Sequence, residues 1–250
     1  MSVHLGLWDF LLIAGVSAMA TTLAYLHHPR WKALIMSLPI PFTLATLSLG
    51  RPVDATNALG LAVLLGYAHA VRVLYGRLRV PIVAAIAFSV LGYCALGTAA
   101  APAIPASDGA FWVAEGLVFA LGLALYITTP HREEPGHRSP LPVYVKLPIV
   151  VAVVVALIAI KKSLQGFMTL FPMVSVMAAY EARFSLWTIC LQIPVLMLTM
   201  VPMMAAIRLA QPRLGLGGAL AVGWLVFLAL LVPITRRLWK SAGWAASKTA

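Results

Sequence analysis

Charge is what this chain lacks most. Only 10% of its 250 residues are Asp, Glu, Lys or Arg, against about 25% in an average soluble domain, while 62% are hydrophobic. That excludes an ordinary solvated surface and predicts an all-α integral membrane protein. Acidic residues are the scarcest, seven against eighteen basic ones, for a formal net charge of +11. In a soluble protein this excess would suggest nucleic acid. Between apolar segments it reads instead as basic loops on the cytoplasmic side, so no nucleic-acid partner is expected. Cysteine is nearly missing: Cys94 and Cys190 both lie in apolar runs, which argues against a disulfide framework or a CxxC metal site. HExxH, GxSxG and P-loop patterns are absent. His27 and His28 are adjacent, cannot share a helix face, and have no further ligand at metal spacing. No metal or cofactor is expected. Met1 to Leu7 contain no Lys or Arg, so a signal peptide's basic leader is missing and the first apolar segment reads as a mature helix.

Long apolar runs are plentiful. About 20 apolar residues cross a bilayer as a helix, and the chain offers nine candidate spans. The first four are Trp8 to Leu26, Ala33 to Leu49, Ala58 to Tyr75 and Val80 to Ala100. The fifth, Phe111 to Thr128, precedes the longest polar loop, His131 to Pro142. Val143 to Ile160, Gly166 to Tyr180, Leu186 to Ile207 and Gly215 to Ile234 complete the set, and Arg236, Arg237 and Lys240 follow. Basic residues in the first half and the tail place the N-terminus outside and the C-terminus in the cytoplasm. Lys161/Lys162 and Arg208/Arg213 then fall on the wrong side.

An internal repeat accounts for those violations. Trp31-Lys32 leads through an apolar approach to Pro39 and Pro41, and Lys161-Lys162 leads in the same way to Pro172. Each stretch follows one span and precedes two more. The plan is therefore a four-helix repeat (1–104), a connecting helix and cytoplasmic loop (105–142), and a second four-helix repeat with a basic tail (143–250). An odd number of spans between the copies inverts the second one. Inverted repeats with interrupted helices in corresponding positions build the midplane sites of many secondary transporters, and proline-broken helices at Pro39, Pro41 and Pro172 would mark the interruptions.

Leu170-Phe171-Pro172, with the Met-Val-Ser-Val-Met-Ala-Ala-Tyr that follows and the segment Trp187 to Pro194, resembles the GlpM-type small inner-membrane proteins of bacteria. The similarity runs over about 156–231. In the first half only Leu38-Pro39-Ile40-Pro41-Phe42 echoes it, without the Phe before proline. The resemblance implies a bacterial inner-membrane location and carries over no catalytic residue. A fused pair would look like a one-chain version of an antiparallel dimer of such units.

Residues able to carry chemistry are few. Lys32, Lys161, Lys162 and Gln165 lie beside the expected breaks, where cations and half-helix N-termini suit a carboxylate or phosphate. The same lysines could simply snorkel at the interface. Glu181 and Arg183 form either a gate or a capping pair. His69 and Arg72 share a helix face. Glu115, Asp9 and His69 are candidates for proton coupling, since ionisable groups in a membrane are expensive and tend to be functional. Ala62, Gly66 and Ala70 form a small-residue face for close packing, and the Met197 to Met204 run reads as packing. These features predict a secondary transporter or lipid flippase for a small or amphipathic anionic substrate, with membrane lipid and a second copy of the chain, in a homodimer, as candidate partners. The rivals are an accessory subunit of a membrane enzyme or synthase complex and, for want of clustered Asp and His, less readily a lipid-modifying enzyme.

Overall fold

The computed structural model describes residues 6–26, 29–130 and 143–248, and all its regular structure is helical. Among these residues nine α-helices run in order: α1 Leu7–Tyr25, α2 Pro29–Ser37, α3 Ile40–Leu49, α4 Ala55–Gly76, α5 Ile82–Ala100, α6 Asp108–Thr128, α7 Val143–Leu164, α8 Met173–Glu181 and α9 Leu186–Lys248. A 3-10 segment, Gln165–Leu170, joins α7 to α8. Five stretches are long and apolar enough to cross a membrane: Ala55–Gly76, Ile82–Ala103, Asp108–Thr128, Leu147–Leu170 and Leu186–Arg237.

Local chemistry sets several of the boundaries. Asp54 caps α4 by accepting from the Thr56 backbone N–H at 2.9 Å, and Asn57 returns the favour to the Asp54 N–H at 2.8 Å, which satisfies donors that a helix start leaves open. Ser107 caps α6 through the Ala110 N–H. Gly50, at φ 61°, closes α3 in the left-handed conformation that glycine adopts without steric cost.

Two boundaries differ from the sequence expectation. Lys161 and Lys162 lie in the last turn of α7, which continues to Leu164. Arg208 to Arg213 are helical within α9. That helix turns only at Gly215, where φ 65° and ψ 177° leave the helical region. Gly223 then packs on Ile207 and Met203, so 216–248 folds back along 186–214. A loop needs unsatisfied or solvated backbone, and neither stretch supplies a residue that demands it until glycine does.

α1 packs on α3, α7 and α8, while α4 packs on α5, α6, α9 and the 3-10 segment. α6 lies against α4 and α9, and α9 also covers α2 and α3. The buried interior includes Phe42, Phe111, Phe167 and a methionine group of Met197, Met200, Met203 and Met204. Large apolar side chains also cover the outside, such as Phe88, Leu91 and Leu96 on α5 and Val113, Leu117 and Ile127 on α6. A helix apolar on both its inner and its outer face suits a lipid surround.

Candidate functional site

Two helices are interrupted at a proline, and the interruptions share one geometry. Pro39 starts α3 at φ −80°, ψ 33°; Pro172 starts α8 at φ −71°, ψ 46°. The preceding residue turns back in each case, Leu38 N–H to Ile35 O at 3.1 Å and Phe171 N–H to Met168 O at 3.2 Å. Each proline carbonyl then accepts from the residue four further on, Thr43 N–H and Val176 N–H, both at 2.9 Å. Pro41 lies in the first turn of α3, where a missing N–H costs nothing. The break on the first side is therefore at Leu38-Pro39.

Irregular backbone inside apolar segments must find partners within the protein, and here those partners reach across the chain. The Thr56 hydroxyl accepts from Gly166 N–H at 3.0 Å, and Asn57 Nδ2 donates to Thr169 Oγ1 at 2.9 Å. The Tyr93 hydroxyl donates to Phe167 O at 2.8 Å. A side chain at Gly166 would lie 2.7 Å from the Asn57 nitrogen, so this approach is open only to glycine. On the other break the donors come from α9: Gln192 Nε2 bonds Ser37 Oγ, and Trp224 Nε1 donates to Thr43 Oγ1 at 2.9 Å.

Between the breaks is a small cavity with ≈ 30 Å³ of room for the centres of water-sized spheres, enough for about two waters. Its polar lining is Ser37, Tyr67, Ser175 and Gln192. Its walls are apolar, among them Met36 at the end of α2 and Ile193 on α9. Ser37 precedes the first break by one residue and Ser175 lies in the first turn of α8, so both interruptions border one space. Tyr67 is buried at 4% exposure, and its hydroxyl has no hydrogen-bond partner among the described residues. The lining contains hydroxyl and amide groups and no ionised side chain.

The residues singled out in the sequence are dispersed around this cavity. Lys161 turns to Asp9 instead of a ligand space: Nζ lies 2.7 Å and 3.0 Å from the two carboxylate oxygens and 3.2 Å from Ser48 Oγ. Ser48 Oγ also donates to Asp9, and Gly6 N–H donates to Asp9 Oδ2 at 2.9 Å. The cluster ties the start of α1 to the ends of α3 and α7. Lys162 is exposed, and Gln165 is half-buried at φ 50° where α7 gives way to the 3-10 segment. The side chain of Lys32 is outside the described residues. Glu181 is buried at the end of α8, and the Arg183 guanidinium lies over the rings of Tyr180 and Phe184 at 5.3 Å and 5.1 Å. Arg72 stacks on Trp187 at 4.2 Å, whose indole N–H reaches Pro130 O at 3.3 Å. His69 Nδ1 lies 3.0 Å from Leu65 O, one turn back in its own helix. Glu115 is buried on α6, and neither of its oxygens has a hydrogen-bond partner among the described residues.

Tyr67, Ser175 and Gln192 went unnoticed in the sequence because they carry no charge. The one signal was positional, since Ser37 and Ser175 each lie within three residues of a break-forming proline. Among the described residues no group of three or more His, Cys, Asp or Glu could hold a metal ion. Comparison with known protein families, with curated proteins and with solved structures finds no match to this chain.

Proposed function

We propose that this chain is a secondary transporter of a small anionic solute, built from two inverted four-helix repeats and working by alternating access in a bacterial inner membrane. One observation carries the reading: two interrupted helices of matching geometry border one small cavity that carries four polar side chains. Broken helices in corresponding positions are the pointer to a transporter site.

The packing supports the repeat. If α9 counts as two spans about Gly215, the crossings number nine, with the N-terminus outside and the C-terminus in the cytoplasm. α2–α3 then corresponds to the 3-10 segment with α8, and α4 to 186–214. Two pairs of contacts match under that exchange: α4 on the 3-10 segment with α9 on α2, and α1 on α3 with α7 on α8. The connecting helix α6 touches α4 and α9, one from each repeat. The latches match too. Asn57 of the first repeat holds Thr169 of the second, and Gln192 of the second holds Ser37 of the first.

Glu115 is the proton-coupling candidate, a carboxyl with no donor on either oxygen among the described residues. Asp9 is committed to Lys161, and that pair acts as a clasp on one side of the molecule. The cavity's size favours a compact solute over an amphipathic one. It also suits the rival reading of an accessory subunit, which predicts a co-purifying partner at fixed ratio and no flux.

Accessibility tests the proposal. Ser37→Cys and Ser175→Cys, made in a variant without Cys94 and Cys190, should react with an impermeant thiol reagent from either side of the membrane, the side changing with the imposed gradient. Reaction from neither side under any gradient, together with no anion flux in liposomes, would remove alternating access.

A further inference from the structure

We infer that the space between the first turn of α8 and Tyr67 is a binding site for a small, largely dehydrated inorganic monoanion of halide size. The inference sharpens the transport reading, which it needs only for what the ion does after binding. The first four N–H groups of a helix have no partner within it. In α8 two of them are occupied, Met173 by Phe171 O at 2.7 Å and Val176 by Pro172 O at 2.9 Å. The N–H groups of Val174 and Ser175 have no backbone acceptor among the described residues, although Val174 is only 6% exposed. Proline at 172 is what brings this helix end to such depth, because it starts the helix in mid-segment.

A second observation points to the same ligand. Tyr67 lines the cavity and its buried hydroxyl is unpartnered, and an unsatisfied buried hydroxyl is costly unless an acceptor arrives. Ser175 adds a hydroxyl at the same place. The site therefore offers the hydroxyls of Tyr67 and Ser175, and Ser175 brings the first turn of a nine-residue helix to its wall. Such partial charges favour an anion. No carboxylate lines the cavity to repel one, and no Lys or Arg lines it to match a dianion. Space for about two waters admits chloride or bromide and excludes phosphate esters and organic acids.

The test uses the full chain purified in detergent, with chloride as probe and gluconate as the inert salt. Saturable broadening of the chloride NMR line and a chloride-dependent rise in melting temperature, as ligand binding to the folded state requires, are expected for the wild type. Tyr67→Phe and Ser175→Ala should each weaken chloride by at least about tenfold, or 1.4 kcal/mol, while melting like the wild type in gluconate. Thr128→Ala, on the exposed end of α6, should bind normally. If Tyr67→Phe fails to fold, Ser175→Ala carries the comparison. The site is overturned if neither chloride nor bromide has a saturable effect, or if both variants respond as the wild type does. Chloride binding without chloride flux in liposomes would keep the site and sink the transport reading. Flux of another solute without halide binding would do the reverse.

Discussion

Lys161 illustrates how a charge in an apolar chain is settled by its neighbours. Its side chain is 19% exposed and that of Asp9 only 3%, so the carboxylate depends on the ammonium and on Ser48 for most of its compensation. Removing one partner of a largely buried pair leaves the other uncompensated, at a cost of about 3–5 kcal/mol. The partial exposure of Lys161 puts the expected loss at or below the lower end. Lys161→Gln should therefore lower the unfolding midpoint clearly, Lys162→Gln should change it little, and Asp9→Asn combined with Lys161→Gln should recover most of the loss. Thermal unfolding of the purified variants checks this, and equal midpoints for the two single lysine variants would refute the clasp. The doublet looks equivalent in sequence. One helical position, about 100° of rotation, separates a paired lysine from an exposed one.

The two interrupted helices were legible as elements, since proline inside an apolar run ends or kinks a helix at the residue before it. Pro39 and Pro172 do so, whereas Pro148, Pro194, Pro202 and Pro233 lie inside helices that continue. The break before Pro172 has support from outside its own segment. Thr56, Asn57 and Tyr93 take up the exposed backbone and hydroxyl groups of the 3-10 segment. Gly166 is the tightest point of this arrangement. Gly166→Ala should force α4 and the 3-10 segment apart at an overpacking cost of about 1–3 kcal/mol, with lost expression or a lowered midpoint as the readout. Unchanged stability would mean that the contact with Asn57 is looser than described.

For the whole molecule, topology is the decisive measurement. The proposed nine crossings would place the termini on opposite sides, so cysteines introduced at Ser2 and Ser247, in a variant without Cys94 and Cys190, should be labelled from opposite faces. Labelling from the same face would remove both the odd span count and the inverted repeat. α4 packs on the 3-10 segment and α9 on α2, the pairing that the proposed repeat requires.

Hydropathy, period and proline act over short distances along the chain, so the long apolar helices and the interruptions at Pro39 and Pro172, though not the uninterrupted helix at Pro41, were legible in the sequence. It could not assign partners to ionisable groups: Lys161 meets Asp9 across 152 positions, and Arg208 meets Asp108 across 100. The cavity was beyond it for a related reason. Tyr67, Ser175 and Gln192 are ordinary polar residues in apolar runs, and only the folding of α2, α4, α8 and α9 around one point gives them a common space. Whether a polar group is satisfied depends on what the fold brings to it, and the sequence does not encode that distance in any local pattern.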